Sequence, residues 1–299
     1  MHFSTIALIG RYQDSKLAEH LQSLARLLVA ADRNVLIEAE TARHTGLTEF
    51  SVASYEQIGQ QAQLAIVMGG DGTMLGAARN LAPYGIPVAG INHGRLGFIT
   101  DIPLQDVSTA IQDLLNGNFE IENRILLEGE VVRNGSCLYS ATALNDVVLN
   151  RAGRGGMIEV RADIDGQFMF TVRADGLIAA TPTGSTAYAL SAMGPILHPA
   201  IQAILLVPVA PQTLSNRPIV LPDSSQLTLT VISMSRIEAG ASVHFDMQTW
   251  SDVQPGDQIR IRRAHNTISF LHPQGYSFFS TLRRKLDWNR LPATGLNGE

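Results

Sequence analysis

Two periodicities divide the chain. In the first hundred residues, short apolar runs at 5–9, 34–37, 64–68 and 87–91 alternate with helical patterns, as expected of parallel strands covered on both faces. Between the first two runs, Leu17, Leu21, Leu24 and Leu28 recur every three or four residues and so share one helical face. The succession predicts a βαβ unit. A further helix over 104–115 carries Val107, Ile111 and Leu114 on one side and stops at Asn116 and Gly117, a strong termination signal.

Beyond that helix the period changes to two. Ile158, Val160, Ala162 and Ile164 point one way while Glu159, Arg161 and Asp163 point the other, which reads as a strand with one wet face. Asp165 and Gly166 supply the positive backbone angles of a tight hairpin, and 167–172 returns. The alternation recurs at Leu227, Leu229 and Val231 and again over 259–262, and a last helical stretch covers 278–287. The fold class expected is therefore α/β plus all-β. A Rossmann-like N-terminal α/β domain with a parallel sheet is formed by 1–102 and a returning tail, 272–299. A mostly β, sandwich-like domain spans 103–271.

Charge and composition narrow the partners. Lys and Arg total 22 against 27 Asp and Glu, a net charge of -5, which argues against a nucleic-acid polymer. The most apolar stretch, 201–211, is too short for a bilayer and is interrupted by Pro208 and Pro211, so no membrane span is expected. Residues 1–10 lead straight into a strand without the features of a secretory signal, and a cytoplasmic location is expected. The single cysteine, Cys137, excludes internal disulfides and reads as a small buried hydrophobe in a reducing compartment.

Eight glycines, at 69, 70, 72, 76, 85, 90, 94 and 97, fall within 29 residues. Gly69, Gly70, Asp71, Gly72 and Thr73 follow the run 64–68 and precede a helical 74–81. The carboxyl end of a parallel strand is where open α/β sheets bind ligands, and exposed N–H groups at a helix start suit phosphate oxygens. A carboxylate there, Asp71, belongs beside anions only if it binds Mg2+ or takes a proton from an attacking hydroxyl. The plainer reading is a strand-to-helix turn with Asp71 and Thr73 as caps. The next strand ends in Asn92, His93, Gly94, Arg95, Leu96, Gly97 and Phe98. Asn92 is placed to bond a phosphate or ribose and Arg95 to neutralise charge, against the plainer alternative of a self-stabilised loop; His93 has no companion at ligand spacing. A third element, 175–188, ends in a hydroxyl-dense turn and Tyr188. It suits a nucleoside or, equally, a loop capping a helix through Ser191.

Taken in order, these motifs, with Ser191, Ala192, Gly194 and Pro195 after them, closely resemble those of NAD kinases over nearly the whole chain. The first motif is shared with diacylglycerol and sphingoid-base kinases and, more loosely, with phosphofructokinases; the run 175–188 is much more specific. The resemblance implies an α/β domain plus an all-β domain with the tail returning to the first. It implies transfer of the ATP γ-phosphate to the 2′-hydroxyl of the adenosine ribose of NAD, giving NADP and ADP, with Mg2+ or another divalent cation whose ligands stay unassigned. Asp71 matches the proton acceptor and Gly72 a substrate contact, while Gly69, Gly70, Gly72, Thr73, Asn92 and Gly94 form the phosphate loops. Asn145 and Asp146 match the pair that holds the ribose. Thr186, Ala187, Tyr188, Ala189, Leu190 and Ser191 match the segment around the adenine. Arg173 and Asp175 match contacts toward the nicotinamide end, and Gln248 a late NAD contact. In relatives some contacts come from a neighbouring subunit, which implies a homodimer or homotetramer. Three positions depart from the family pattern: Asp146 stands where Glu is common, Met193 where Gly is usual and expected to crowd its loop, and Gly156 where a basic residue or His is frequent.

Overall fold

The computed structural model describes residues 3–10, 17–94, 97–151, 156–234 and 240–288. The chain divides into two compact units, one made of Met1–Met74, Val88–Ile121 and Phe270–Glu299, the other of Leu75–Pro87 and Glu122–Ser269.

In the first unit five parallel strands lie in the order Ser51–Ala53, Asn34–Glu38, Thr5–Gly10, Leu64–Gly69, Val88–Asn92. Four match the apolar runs; Ser51–Ala53 and the helices Ala39–Thr45 and Tyr55–Gln61 are additions. Their signals are short and polar, but local bonds fix them. Glu38 caps Ala39–Thr45 through Glu40 N and Thr41 N, and Ser54 with Gln57 forms a capping box on Tyr55–Gln61. Helix Leu17–Ala30 buries Leu17, Leu21, Leu24, Ala25 and Leu28. These join Ile6, Leu8, Ile37, Leu64, Ile66 and Ile91 in one core. Helix Val107–Asn116 buries Ala110, Ile111 and Leu114 in that same core and ends at Gly117, which takes the left-handed conformation (φ 86°).

The second unit is mostly β. Six antiparallel strands run Ile219–Pro222, Ala203–Val209, Gly176–Ala180, Asp146–Arg151, Ala241–Phe245, Thr249–Val253. A second layer contains Gln167–Ala174, Ile158–Ile164, Leu227–Met234 and the strand Gln258–Pro273. The inner faces share a core in which Val147, Leu149, Leu177, Leu206 and Phe245 meet Val160, Val172, Leu229, Val231, Ile259 and Ile261, the arrangement of a β-sandwich. The six-stranded sheet is apolar on its other face too, where Val148, Ile178, Leu205 and Val207 pack with Ala189 and Leu197. That double burial explains the apolar run near 201–211, and no helix among the described residues is long and apolar enough to cross a membrane. Asp165 (φ 50°) and Gly166 (φ 78°) form the expected hairpin turn.

Two expectations are corrected. Cys137 is exposed, because the outer end of hairpin strand Ser136–Ala143 leaves the core and Ser136, Cys137 and Leu138 are all exposed. Met193 does not crowd its loop; it is 85% exposed, and what glycine would relieve there is a φ of 67°.

Candidate functional site

Gly70 alone separates strand Leu64–Gly69 from helix Asp71–Leu81. Asp71, Gly72 and Thr73 thus form a first helical turn rather than a loop, with Thr73 N and Met74 N donating to Gly70 O at 3.0 and 3.2 Å. A carboxylate at this end is favoured by the helix dipole. It does not cap its own helix. Its Oδ2 accepts from Phe98 N at 2.8 Å, and its Oδ1 accepts from Ile99 N at 3.3 Å and from Thr100 Oγ1 at 3.0 Å. Asn92, buried at the end of its strand, donates from Nδ2 to Thr100 Oγ1 at 3.1 Å. His93 N donates to Gly69 O at 3.0 Å, tying the two strand ends together.

The packing around this carboxylate requires glycine at 97. A Cβ there would stand 1.9 Å from Asp71 Oδ1 and 2.2 Å from Thr100 Oγ1. At Gly90 it would stand 2.7 Å from Met74 Cε and 2.9 Å from Ile99 O. Part of the glycine density in the sequence therefore lets 97–100 lie close against Asp71 and its helix. Gly72 and Gly94 are exposed, Gly70 and Thr73 half-buried. Arg95 and Leu96 lie outside the described residues.

In the second unit three strand ends share one edge of the six-stranded sheet. Asp146 is opposite Ala180 and Phe245 is opposite Val147, which brings Asn145 and Asp146 together with Thr181 and Asp246. Asp246 and Met247 turn the chain with positive φ of 51° and 54°. The Asp246 side chain is 0% exposed. Its Oδ1 accepts from Asn145 N at 2.7 Å and Asp146 N at 3.2 Å; its Oδ2 accepts from Leu144 N at 3.0 Å and Arg79 Nη1 at 3.1 Å. Thr181 Oγ1 donates to Leu144 O at 2.5 Å and Thr181 N to Asn145 O at 2.8 Å. Burial pushes the Asp146 carboxyl up to about 7, with the neighbouring Asp246 charge acting in the same direction. Burial also raises Asp246, against the opposing pull of the three N–H groups and Arg79.

The hydroxyls of the next turn are largely committed to the turn itself. Ser185 Oγ accepts from Leu197 N at 2.9 Å and donates to Pro182 O at 2.6 Å. Thr186 Oγ1 donates to Thr183 O at 3.1 Å. Ser191 ends the short helix Tyr188–Ser191 rather than capping a helix start. Tyr188 is half-buried against the apolar face of the sheet, with Ala189 buried and Leu190 half-buried. Ala187 is half-buried and Ser191 exposed. Arg173 and Asp175 belong to the opposite end of strand Gly176–Ala180 from this turn. Arg173 Nη2 is 3.3 Å from Glu159 Oε2, and Asp175 Oδ1 accepts from Arg151 Nε at 2.7 Å. Gln248 Oε1 accepts from Arg79 Nη2 at 2.7 Å.

Sequence reasoning missed Arg79, Thr100 and Asp246. Asp246 had a usable signal, since Asp at the end of the alternating run 241–245 is a turn former. Thr100 and Arg79 carried none, because their partners are 29 residues (Asp71) and 167 residues (Asp246) away in the chain.

Comparison with known proteins identifies the family. The model of the ATP-NAD kinase N-terminal domain matches residues 6–119, and that of the ATP-NAD kinase C-terminal domain matches 144–273. The chain is 66% identical over 292 residues to an NAD kinase of Bordetella parapertussis, covering 98% of each. It is 63% identical over 299 residues to that of Bordetella avium, covering 100% of each. Its fold matches that of a yeast NADH kinase crystallised with NADH, with a TM-score of 0.90 at 23% identity, covering 98% of this chain and 90% of the other. An NAD kinase from Archaeoglobus fulgidus in complex with ATP gives a TM-score of 0.73 at 23% identity, covering 95% of this chain and 98% of the other. The chain belongs to the NAD kinase family. It is accordingly a kinase, of a family that phosphorylates NAD using ATP.

Proposed function

We propose that the acceptor is the 2′-hydroxyl of the adenosine ribose of NAD and that Asp71 is the general base. The observation that carries this is the Asp71 carboxylate itself, half-buried at a helix start and held by three donors from 98–100. Phosphoryl transfer asks the protein for positioning and charge neutralisation more than for covalent chemistry. The hydroxyl oxygen forms a bond to the γ-phosphorus as the bond to ADP breaks, and the hydroxyl proton passes to Asp71. Gly69, Gly70, Gly72, Thr73, Asn92 and Gly94 line the strand ends assigned to phosphate, where backbone N–H groups and the helix dipole suit anions.

No group of three or more His, Cys, Asp or Glu able to hold a metal occurs among the described residues. Mg2+ needs only one or two carboxylates when substrate phosphates and water supply the remaining ligands. Asp71 is the carboxylate available in 69–73; the ion, when bound, neutralises charge on the phosphates.

For NAD, Asn145 and Asp146 hold the adenosine ribose, and the segment Thr186, Ala187, Tyr188, Ala189, Leu190 and Ser191 surrounds the adenine, with Tyr188 presenting a flat face. Gln248 joins them. Arg173 and Asp175 serve the nicotinamide end. They lie at the opposite end of strand Gly176–Ala180 from the turn that follows it, and a second subunit is a natural source of one set of contacts. On this reading the protein is a homodimer or homotetramer, working in the cytoplasm.

Asp71→Asn tests the base. It should retain the native circular dichroism spectrum and lower kcat about 100- to 10,000-fold. Near-normal turnover would overturn the assignment.

A further inference from the structure

The turn at 144–146 has its backbone polar groups engaged on both sides. The N–H groups of Leu144, Asn145 and Asp146 all end on Asp246. The carbonyls of Leu144 and Asn145 accept from Thr181, and that of Asp146 accepts from Asp246 N at 2.9 Å. Space is equally defined, since a Cβ on Gly184 would fall 2.0 Å from Asn145 O.

Asp246 is in turn over-determined. Four donors converge on its fully buried carboxylate, one of them Arg79, whose guanidinium also donates to Phe245 O at 3.2 Å and to Gln248 Oε1 at 2.7 Å. One aspartate thus ties a turn, a hairpin end and the Gln248 side chain to a single cation. Fixing the backbone of 144–146 fixes the direction in which the Asn145 and Asp146 side chains leave it.

We propose that Asp246, held by Arg79, is a positioning residue for NAD: it sets the Asn145 and Asp146 turn in the geometry that takes the ribose. This rests on the ribose role proposed above for that pair. Asp246 need not touch substrate to do so. Asp246→Asn keeps the shape but turns one acceptor oxygen into a donor, leaving two of the four converging donors without an acceptor.

Steady-state kinetics with each substrate varied provides the test. Asp246→Asn should raise KM for NAD by about tenfold or more, as expected of a small misplacement, with KM for ATP unchanged within about twofold. Arg79→Lys, which keeps the charge but loses the fork, should raise KM for NAD less and in the same direction; it carries the test if Asp246→Asn does not fold. Asn145→Ala should also raise KM for NAD. If Asp246 acts through the turn, the double variant should be no worse than the worse single variant. Independent, multiplying effects would overturn the proposal, as would equal rises in both KM values, or a flat KM for NAD in Arg79→Lys. An unchanged KM for NAD in Asn145→Ala would instead sink the ribose assignment. An effect in Asn145→Ala with none in Asp246→Asn would sink the positioning role alone.

Discussion

Asp71 and Asp246 both accept consecutive backbone N–H groups, yet their surroundings differ in burial and charge. Asp71 takes Phe98 N, Ile99 N and the Thr100 hydroxyl and stays half-buried, beside the exposed Gly72. Asp246 takes three N–H groups and a guanidinium and is wholly buried. A carboxylate has about four acceptor positions. Those of Asp246 are filled, whereas Asp71 takes three donors among the described residues and is half-buried. The same bonds therefore leave one aspartate able to act as the proposed base and make the other a clamp.

The sharpest way to break the comparison is to move Asp71 without changing it. A methyl group at 97 would fall 1.9 Å from Asp71 Oδ1, so Gly97→Ala has to displace either the carboxylate or the 97–100 segment. The expected outcome is a kcat loss of about 100-fold with a stability loss of only about 1–3 kcal/mol, read by single-turnover kinetics and denaturant unfolding. Turnover close to that of the unmodified enzyme would mean that the bonds from 98–100 do not position the base.

A smaller effect concerns the buried acids around Asp246. Asp146, pushed up to about 7 by burial and then by Asp246, binds its proton more tightly folded than unfolded. Its contribution to stability is full below the ordinary carboxylate range and is lost as pH rises through about 7. Unfolding free energies at about pH 4.5 and about pH 7.5 should therefore fall less steeply in Asp146→Asn than in the unmodified protein. Identical slopes would show that Asp146 titrates normally. Asp246, raised in the same sense, leaves a residual slope in the variant.

The smallest effect lies at Met193. Its φ of 67° with an 85% exposed side chain predicts that Met193→Gly stabilises by about 0.5 kcal/mol, the relief of a left-handed conformation less the added chain entropy of glycine. The midpoint of urea unfolding measures it, and a decrease would mean that the side chain contributes packing that its exposure does not suggest.

Much of the frame was legible because it rests on local signals. The four apolar runs became parallel strands, the Leu17 to Leu28 stripe became a buried helix face, and Asp165 and Gly166 became the hairpin turn. The candidate site residues Asp71, Asn145, Asp146 and Tyr188 come from short motifs in the sequence. Their supports do not. The composition of 181–186 does not reveal that Thr186 bonds Thr183 O within its turn or that Ser185 bonds both Pro182 O and the distant Leu197 N. Cys137 was misread because a two-residue period does not reveal where a long hairpin leaves its core.

By itself the sequence determined the order of elements, the change from helix-spaced to strand-spaced patterning and the motifs that carry the candidate residues, since each depends on residues close together in the chain. Tertiary structure alone decided which carboxylate is wholly buried under four donors and which stays half-buried with three among the described residues. Asp246 finds Leu144, Asn145 and Asp146 across about a hundred residues, and Asp71 finds 98–100 only because Gly97 has no side chain in the way. Burial and hydrogen bonding to distant backbone are properties of the folded neighbourhood, and no local pattern encodes them.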